Sequence, residues 1–438
     1  MSPEVRTPGT GADSARRRVH RIALVAVPLT AVVLTLAACT VAKSNAGGVS
    51  PVAKSSQDSA QPTDVPTTQA AVPAAVIKTV PAAASGVNPG VPVTVSVSDG
   101  TLTSVKLVNA EGKSVSGALA ADATSWASTE DLGYSKTYTL SAMAVNADGK
   151  AVAKKSTFTT LTPANMTMPY LQRPGGYSLD NGATYGIGIV PVVHFDEAIT
   201  NKKAAEQALT VTTTPHVDGV WNWVDDQNVH WRPKNYLASG TKVTVTAKVY
   251  GVQVGQGLYG QADQSVSFKI GAKHISIADD KTHTVKVYFN GRLMRTMPTS
   301  MGQHMTVQGS NGPVSLWTMD GTYTVLEHDD PAIMSSASFG LPTSSPYGYA
   351  PENVYKAVKI SPDGIYLHSA PWSVWAQGNT DTSHGCLNLS PDNATWYYQT
   401  SQVGDIVQVL NNGGPTLQEW QNGDWSVPWS TWVKGSAL

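Results

Sequence analysis

The 438-residue sequence predicts a mainly β protein built from several domains. The chain is too long for one ordinary hydrophobic core, and its length suggests roughly three domains. Apolar and polar residues alternate with a period of two along much of the chain, which is the pattern of β-strands. Several of these alternating runs end at Asp-Gly or Asn-Gly, which are typical of tight turns between strands.

The composition narrows the class of protein. Hydrophobic residues make up 41% of the chain, which is ordinary for a packed globular protein. Charged residues make up only 14%, and the 30 basic residues nearly balance the 31 acidic ones. A nucleic-acid partner would require a basic stripe or patch, so we expect no nucleic-acid binding.

Residues 1–39 have the pattern of an export signal. Four arginines within 16–21 precede an apolar run over 22–38. The run ends in Leu-Ala-Ala-Cys39, which resembles the lipobox of bacterial lipoproteins, in which the cysteine is lipidated. We therefore expect lipidation at Cys39 and a chain exported to the outer face of the cytoplasmic membrane, in the periplasm and cell wall. The alternative is an uncleaved single-span anchor, because the run is near the shortest length that spans a bilayer.

Residues 40–85 are predicted to form a disordered linker. This segment is rich in Ala, Pro, Ser and Thr and has no aromatic residue. Such a composition cannot bury enough surface to offset the entropy lost on ordering. Its prolines would stiffen it in part, so it would act as a tether.

Residues 86–161 are predicted to form an immunoglobulin-like domain. Alternate valines over 93–97 lead to Asp99-Gly100, and a second alternating run over 138–144 leads to Asp148-Gly149. Short strands with closely spaced turns are typical of a β-sandwich.

Residues 162–272 are predicted to form a second immunoglobulin-like domain, because the run over 243–249 alternates in the same way. Three tryptophans in this range, Trp221, Trp223 and Trp231, could fill the core or form a surface contact, and we favour the core. We interpret the two domains as spacers.

One glycine-rich motif in the second domain matches G-x-G-x-x-G, at residues 255–260. A nucleotide site needs these glycines to open a helix within a βαβ unit. The run that follows, 264–270, alternates like a strand instead. We therefore predict no nucleotide site here.

The third region, 273–410, is predicted to be a further β domain. An alternating run leads to Asn290-Gly291, the clearest hairpin turn in the sequence. Residues 330–350 are rich in Pro and Gly and have the composition of a long loop, which in a compact domain is usually functional or disordered. Ser390-Pro391-Asp392 predicts the start of a helix, with a strand following at 405–410. The last residues, 411–438, hold four tryptophans and are predicted to pack back onto this third domain.

Cys386 is one of only two cysteines in the chain, and it lies in the loop-like stretch Ser-His-Gly-Cys-Leu-Asn. A nucleophilic thiol needs a base nearby, and both His368 and His384 are candidates. The helix start that follows would favour an anion at Cys386. Gly385 would allow an unusual backbone conformation or the close approach of a substrate.

Three other interpretations of Cys386 are less favoured. A disulfide with Cys39 is disfavoured, because the linker separates Cys39 from any core. A zinc site formed by His368, His384 and Cys386 lacks the ligands and spacing of known zinc motifs, so no metal is expected. A buried inert cysteine is common in proteins, but such a residue is rarely flanked by His, Gly and Asn in a loop.

His368-Ser369 followed by Ser-His-Gly-Cys386-Leu-Asn388 resembles the signature of the YkuD-type L,D-transpeptidases. The whole arrangement is similar to the actinobacterial, mycobacterial-type members of that family. These have a lipoprotein-like signal, a linker, two immunoglobulin-like domains and a catalytic domain with a Trp-containing extension. The resemblance implies a YkuD-type β-sandwich catalytic domain with few short helices.

The resemblance implies an activity on peptidoglycan. Cys386 would attack the third residue of a tetrapeptide stem, release D-Ala and form a thioester. The side-chain amine of a second stem would then form a 3→3 cross-link. The partners expected are donor and acceptor stem peptides, with carbapenem β-lactams as covalent inhibitors and no cofactor. Alternatives are an L,D-carboxypeptidase and a catalytically inactive wall-binding protein.

The resemblance also assigns roles to individual residues. His368 is the base, oriented by the carbonyl of Ser369, while His384 supports the site. Backbone N–H groups near Gly385 and Cys386 would form the oxyanion hole, under a lid formed by 330–350. Substrate-binding positions would be Ser383, Asn388, Tyr349, Met334, Trp372 and Phe339. At Phe339 close relatives are expected to have Tyr, so one lid hydroxyl is missing here.

Overall fold

The computed structural model describes residues 71–438, and its strands and few short helices confirm the mainly β fold class. The predicted signal, the lipobox with Cys39 and the linker up to residue 70 lie outside the described residues. Within 71–438, no helix has both the length and the apolar character needed to cross a bilayer.

The first domain packs two four-stranded antiparallel sheets face to face, with strand orders β1-β2-β6-β5 and β4-β3-β7-β8. Its core is built from the inward-facing residues of the alternating runs, including Val95, Leu140 and Phe158. The strands are β1 (Val76–Val80), β2 (Thr94–Ser98), β3 (Thr101–Asn109), β4 (Ser114–Val115), β5 (Gly117–Leu119), β6 (Ser125–Ser128), β7 (Thr137–Val145) and β8 (Ala151–Thr159).

Two details of this domain differ from the sequence prediction. Strand β1 lies inside the range 40–85 that was predicted to be linker, and it buries Ile77 against the core. Asp99-Gly100 does not close a hairpin, because β2 and β3 belong to different sheets and the turn connects them. Asp148-Gly149 does close a hairpin, between β7 and β8.

The second domain has a five-stranded sheet, a four-stranded sheet and a small three-stranded sheet. Its elements are β9 (Asn165–Thr167), β10 (Pro169–Arg173), β11 (Tyr177–Ser178), β12 (Thr184–Tyr185), β13 (Val192–Phe195), α1 (Lys202–Gln207), β14 (Leu209–Thr214), β15 (Gly219–Trp223), β16 (Asn228–Pro233), β17 (Lys242–Ala247), β18 (Gln253–Gly255), β19 (Leu258–Gly260) and β20 (Gln264–Ile270).

The predicted core positions of the tryptophans in this domain are confirmed. Trp221 and Trp231 are buried in the core, and the half-buried Trp223 packs against it. The glycine motif at 255–260 lies on strands β18 and β19 and opens no helix.

Side chains of the first two domains are hydrogen-bonded across their junction. The Tyr250 hydroxyl donates to the carbonyl of Leu132 at 2.5 Å, and the Tyr134 hydroxyl donates to the carbonyl of Gly260 at 2.7 Å. The Asn88 amide donates to the carbonyl of Gly251 at 3.0 Å. The first domain is thus tied to the second by half-buried polar contacts.

The third domain has a five-stranded sheet of order β23-β22-β21-β33-β26 and a four-stranded sheet of order β27-β30-β31-β32. Its elements are β21 (His274–Asp279), β22 (Thr284–Phe289), β23 (Arg292–Pro298), β24 (Thr306–Gly309), β25 (Gly312–Ser315), β26 (Gly321–Thr324), β27 (Glu327–Asp329), β28 (Ala332–Met334), β29 (Glu352–Val354), β30 (Ala357–Lys359), β31 (Tyr366–Ser369), β32 (Leu387–Leu389), α2 (Pro391–Thr400) and β33 (Ile406–Leu410).

The local signals in this domain are largely confirmed. Asn290-Gly291 closes the β22–β23 hairpin, with both residues in the left-handed region (φ 51° and 82°) that such a turn requires. Helix α2 begins with Ser390 as its cap and Pro391 in its first turn. The segment 330–350 is more ordered than a loop, since it contains β28, which pairs with β29, and a 3-10 turn over Ser336–Phe339.

The C-terminal segment does not pack on the third domain alone. Asn422 donates to the carbonyl of Thr324 in the third domain, at 2.7 Å. The Trp425 indole donates to the carbonyl of Gly188 and the Trp432 indole to that of Val220, both in the second domain. Trp432 belongs to a short helix, α3 (Trp429–Trp432), and is fully buried. The prediction that 411–438 packs on the catalytic domain therefore described only part of its contacts.

Candidate active site

Two neighbouring strands position the thiol and the imidazole. Strands β31 and β32 pair in parallel, with His368 opposite Asn388. Cys386 directly precedes β32 and lies two residues before Asn388. Side chains two residues apart on an extended chain point to the same face. Cys386 and His368 therefore lie on the same face of this sheet.

Both side chains line one cavity of about 270 Å³. The residues that line it are Met334, Tyr349, Glu352, Val354, His368, Trp372, Thr382, Ser383, His384, Cys386 and Asn388. A larger cavity of about 350 Å³ lies between the second domain and the C-terminal segment, and its lining includes neither cysteine nor any lid residue. The smaller cavity is therefore the candidate active site.

His368 is held as a neutral imidazole, and no hydrogen bond to its Nε2 comes from residues 71–438. Its Nδ1 lies 3.0 Å from the carbonyl oxygen of Ser369 and donates to it, which leaves the lone pair on Nε2. Burial lowers the pKa of His368 to about 4, and the bond to Ser369 offsets this only in part. A neutral histidine with an unoccupied Nε2 can accept a proton.

Cys386 is half-buried and carries a protonated thiol. Its Sγ donates to the carbonyl of Gly364 at 3.5 Å, so the thiol is not hydrogen-bonded to His368 in this arrangement. Burial raises the pKa of Cys386 to about 12; the backbone N–H of Tyr366 lowers it and the Asp363 carboxylate raises it further. The thiol must turn away from Gly364 before the imidazole can take its proton.

The expected effect of a helix N-terminus on Cys386 is absent from this arrangement. Strand β32 lies between Cys386 and the cap of α2 at Ser390. The four steps of extended chain from Cys386 to Ser390 separate their Cα atoms by about 13 Å, well beyond the first turn over which a helix dipole acts. The sequence indicated a helix nearby but could not show that a strand precedes it.

Gly385 occupies a conformation that few other residues can adopt. Its φ is +125°, and an added Cβ would lie 2.7 Å from Ile365 Cδ1. The Thr318 hydroxyl donates to its carbonyl at 2.7 Å, which fixes the peptide before Cys386. Its N–H donates to the Ser383 hydroxyl at 3.1 Å. The Gly385 N–H, expected in the oxyanion hole, is thus already engaged by Ser383.

His384 faces the lid rather than the thiol. Its Nε2 donates to the carbonyl of Tyr347 at 2.6 Å, and its ring lies 5.1 Å from that of Tyr349. The ring of Phe339 lies 6.1 Å from the His384 ring but does not line the cavity. His384 therefore joins the nucleophile segment to the lid, which is a supporting role.

The remaining predicted residues surround His368 and the lid. Trp372 lies 6.0 Å from the His368 ring, centroid to centroid, and is 53% exposed, so it forms one wall of the entrance. The Asn388 amide donates to the Ser373 hydroxyl at 3.0 Å in a buried contact. Met334 lies on β28, at the base of the lid.

Sequence reasoning missed three residues of the cavity: Glu352, Val354 and Thr382. Glu352 and Val354 lie on β29, and the antiparallel register with β28 brings Glu352 opposite Met334. No local motif marks them, because only the pairing of the two lid strands places them in the cavity. Thr382 borders the signature, and its position beside Ser383 was the one signal that could have found it.

Known proteins match the chain along nearly its whole length. A model of the bacterial Ig domain matches residues 84–253, and a model of the L,D-transpeptidase catalytic domain (YkuD) matches residues 273–409. L,D-transpeptidase 2 of Mycobacterium tuberculosis (strain CDC 1551 / Oshkosh) is 39% identical over 430 residues, which are 98% of this chain and 98% of that protein.

Two further matches are shorter. L,D-transpeptidase 5 of M. tuberculosis (strain ATCC 25618 / H37Rv) is 38% identical over 360 residues, covering 80% of this chain and 74% of that protein. A solved structure of an LD transpeptidase in complex with imipenem is 33% identical. It covers 55% of this chain and 99% of the other, with a TM-score of 0.45.

Proposed function

This chain belongs to the L,D-transpeptidase family and is an L,D-transpeptidase, and from that premise we propose that it forms 3→3 cross-links between peptidoglycan stem peptides through a thioester on Cys386. The observation that carries the proposal is the pairing of strands β31 and β32, which brings the Cys386 thiol and a neutral His368 into one lid-covered cavity. A thiol and an imidazole in one cavity are the minimum set for nucleophilic acyl transfer.

In the first half-reaction the thiol proton of Cys386 moves to His368 only when the sulfur attacks the substrate. Without substrate, Cys386 keeps its proton because burial disfavours the thiolate. As the sulfur attacks the carbonyl carbon of the third stem residue, Nε2 of His368 accepts the thiol proton. The resulting imidazolium then donates that proton to the leaving amine of D-Ala, and the acyl group remains on sulfur.

The charge that develops on the substrate oxygen needs nearby donors. Tyr349 lines the cavity, and burial, the largest cause, raises the pKa of its hydroxyl, so the hydroxyl stays protonated and can donate. The backbone N–H of Cys386 is a second candidate, because that of Gly385 is engaged by Ser383. A donor aimed at a developing oxyanion is typically worth about 3 kcal/mol.

In the second half-reaction an amine must reach the thioester before water does. Glu352 places a carboxylate in the cavity, which would attract the ammonium group of an acceptor side chain. After the ammonium has lost one proton to solvent, the amine attacks the thioester carbonyl carbon and neutral His368 takes a proton from it. The C–S bond then breaks, and the imidazolium returns that proton to the sulfur of Cys386. The lid, formed by the β28–β29 pair and the 3-10 turn, limits access by water, which would otherwise release a trimmed tripeptide.

The decisive experiment supplies two defined disaccharide-tetrapeptides and identifies the products by mass spectrometry. We expect a dimer linked between the third residues of the two stems, together with free D-Ala. Cys386→Ala and His368→Ala should each abolish the dimer while the protein stays folded. Trimmed tripeptide without dimer would instead identify an L,D-carboxypeptidase.

We also propose that carbapenem β-lactams acylate Cys386. The proposal is supported by the family resemblance and by a thiol that lines an open cavity beside a base. Intact-mass spectrometry should show one adduct per chain, lost in Cys386→Ala. A folded chain that forms no adduct would support a catalytically inactive wall-binding protein.

Export and lipid anchoring at Cys39 remain proposals that rest on the sequence pattern of residues 1–39. The test is metabolic labelling with radioactive palmitate in the producing cell. Label should be lost in Cys39→Ala and retained in Cys386→Ala, since these are the only two cysteines in the chain. Label that persists in Cys39→Ala would exclude lipidation at this position.

A further inference from the structure

Four side chains with metal-ligating groups meet beside the catalytic cavity without lining it. Asp280 follows strand β21, His283 precedes β22, His304 precedes β24, and Asp381 begins the segment that leads to Cys386. One ligand atom each from Asp280, His283 and Asp381 lies within 4.8 Å of the others. His304 Nε2 lies 3.4 Å from Asp280 Oδ2 and 3.6 Å from Asp381 Oδ2.

The three imidazole–carboxylate separations, 3.3–3.6 Å, match those between ligands of one small cation. His283 Nδ1 lies 3.3 Å from Asp381 Oδ2, similar to the two His304 separations. Two ligands of a tetrahedral zinc ion with bonds of about 2.0–2.1 Å are themselves about 3.3 Å apart. His283 Nδ1 is buried and has no hydrogen-bond partner among the described residues, despite its closeness to Asp381.

A second observation concerns how the two carboxylates are held. Oδ1 of Asp280 accepts from the Asn412 amide at 3.3 Å, and Oδ1 of Asp381 accepts from the Met301 N–H at 2.6 Å. In each case the other oxygen, Oδ2, faces the imidazoles. Protein donors that fix one oxygen and leave the other directed inward are typical of the residues behind metal ligands.

The charge of the cluster also favours a cation. The Asp280 side chain is 9% exposed and that of Asp381 is 7% exposed. Within residues 71–438, neither carboxylate forms an ion pair with a lysine or arginine. Two close carboxylates removed from water need a compensating positive charge, which comes either from the paired imidazoles of His283 and His304 when they are protonated or from a bound cation.

We propose that Asp280, His283, His304 and Asp381 form a four-ligand binding site for Zn²⁺. Two imidazoles and two carboxylates suit zinc, which accepts nitrogen and oxygen ligands in a closed tetrahedral arrangement. The ion would join the β21–β22 turn and the segment before β24 to Asp381, five residues before the nucleophile. Its role would be to hold the backbone between Asp381 and Cys386 in place, without taking part in acyl transfer.

The test uses Co²⁺ and Zn²⁺ as probes in a Cys386→Ala background, which removes the thiol as a competing ligand. After treatment with EDTA, the protein should bind one equivalent of Co²⁺ and show the visible absorption of tetrahedral cobalt. Zn²⁺ should displace it. The combined His283→Gln and His304→Gln substitutions should reduce affinity for both ions at least a hundredfold. The control His216→Gln alters an exposed histidine that pairs with Asp218 and should leave binding unchanged.

Thermal unfolding gives a readout that does not depend on turnover. Zn²⁺ should raise the melting temperature of the parent and of His216→Gln, but not that of the double variant. The double variant in EDTA should melt within a few degrees of the parent in EDTA, which shows that it folds. Failure of the parent to bind Co²⁺ or Zn²⁺ would overturn the proposal. It would show that the four side chains are held together by ion pairs alone. Unchanged binding by the folded double variant would overturn it equally.

Discussion

Cys386 and His368 are both kept uncharged by burial, so this pair differs from a preformed thiolate–imidazolium pair. The sulfur is bonded to the Gly364 carbonyl and the imidazole Nε2 is free. Reactivity toward a substrate and reactivity toward a small alkylating agent should therefore differ. A bound substrate can draw the thiol proton onto His368, whereas a small alkylating agent reacts mainly with thiolate already present.

The first prediction concerns the ionisation of Cys386. Because burial raises the thiol pKa to about 12, alkylation by iodoacetamide should be slow at pH 7. Its rate should rise about tenfold per pH unit between pH 7 and pH 9, where a free cysteine already approaches its plateau. Intact-mass spectrometry over time at each pH measures the rate. A plateau below pH 8 would contradict a raised thiol pKa.

The second prediction concerns the pH dependence of stability. The folded-state pKa of His368 is about 4, below the unfolded value of about 6.5. Its contribution to the free energy of unfolding is therefore complete above about pH 6.5 and is lost as the pH falls toward 4. For this buried side chain the loss by pH 4.5 is on the order of 2 kcal/mol.

His368→Asn removes this titration and keeps an amide that can donate to the Ser369 carbonyl. Urea unfolding of both proteins at pH 7 and pH 4.5 measures the difference. The wild type should lose more free energy of unfolding than the variant over this range. Equal losses in the two proteins would show that His368 does not titrate on unfolding.

At the level of residues, the motif was enough to propose Cys386 and His368 as the catalytic pair, and the structure places both in one cavity. The sequence did not predict the contacts around them. Glu352 escaped notice because its place in the cavity depends on the register between β28 and β29. Register is set by tertiary packing, which a single alternating pattern does not encode.

At the scale of elements, the lid is closed by one buried hydroxyl. Ser336 Oγ donates to the carbonyl of Tyr349 and accepts from the Tyr349 N–H, both at 3.0 Å. Ser336 is fully buried, so these bonds are sheltered from water. They join the 3-10 turn of the lid to the backbone of Tyr349, whose side chain lines the cavity.

The third prediction follows from this contact. Ser336→Ala leaves the Tyr349 N–H without its partner, at a cost of about 1–3 kcal/mol, and should loosen the lid, while the Tyr349 carbonyl still accepts from the Ser336 N–H at 3.3 Å. Water would then compete better for the thioester, so the ratio of trimmed tripeptide to dimer should rise at least fivefold. Product mass spectrometry measures the ratio. Ser338→Ala is the control, because Ser338 is exposed and bonds only locally to Ser335; an equal change in both variants would refute the role of Ser336.

Elements were predicted from the sequence more reliably than their partners. The strands at 93–97, 243–247 and 264–270 followed from alternation, and α2 followed from its cap. Strand β1 was missed because its residues have the composition of the linker, and only packing of Ile77 against the sandwich distinguishes it. Asp99-Gly100 has the composition of a hairpin turn because turn residues determine only the local backbone conformation. Which sheet each flanking strand joins depends on contacts with residues that are distant in sequence.

At the scale of the whole molecule, the C-terminal segment connects two domains. Arg232 of the second domain lies under three tryptophan rings of the tail, Trp425, Trp429 and Trp432, at 4.4–5.5 Å from their centroids. The buried pair His230 Nδ1 and Asp424 Oδ1 lies at 2.7 Å across the same boundary. The second and third domains should consequently unfold together.

The fourth prediction tests this coupling. Trp432 is fully buried and its indole donates to Val220, so Trp432→Ala should cost about 3–5 kcal/mol. Differential scanning calorimetry should show the joint transition of the second and third domains separating into two. Trp420→Ala is the matched control, because Trp420 is 62% exposed and should shift stability by less than about 0.5 kcal/mol. A single, uniformly shifted transition for Trp432→Ala would argue against the coupling.

The tyrosine hydrogen bonds between the first two domains restrict how far the catalytic domain can move relative to residue 71. Together with the tail, they leave neither junction between residues 71 and 438 free to bend as a flexible hinge. Cys386 then lies at a fixed distance from residue 71. If the chain is anchored at Cys39 as proposed, adding or deleting residues before position 71 should change the distance from the membrane at which the enzyme acts, whereas Tyr134→Phe with Tyr250→Phe should widen the range of those distances.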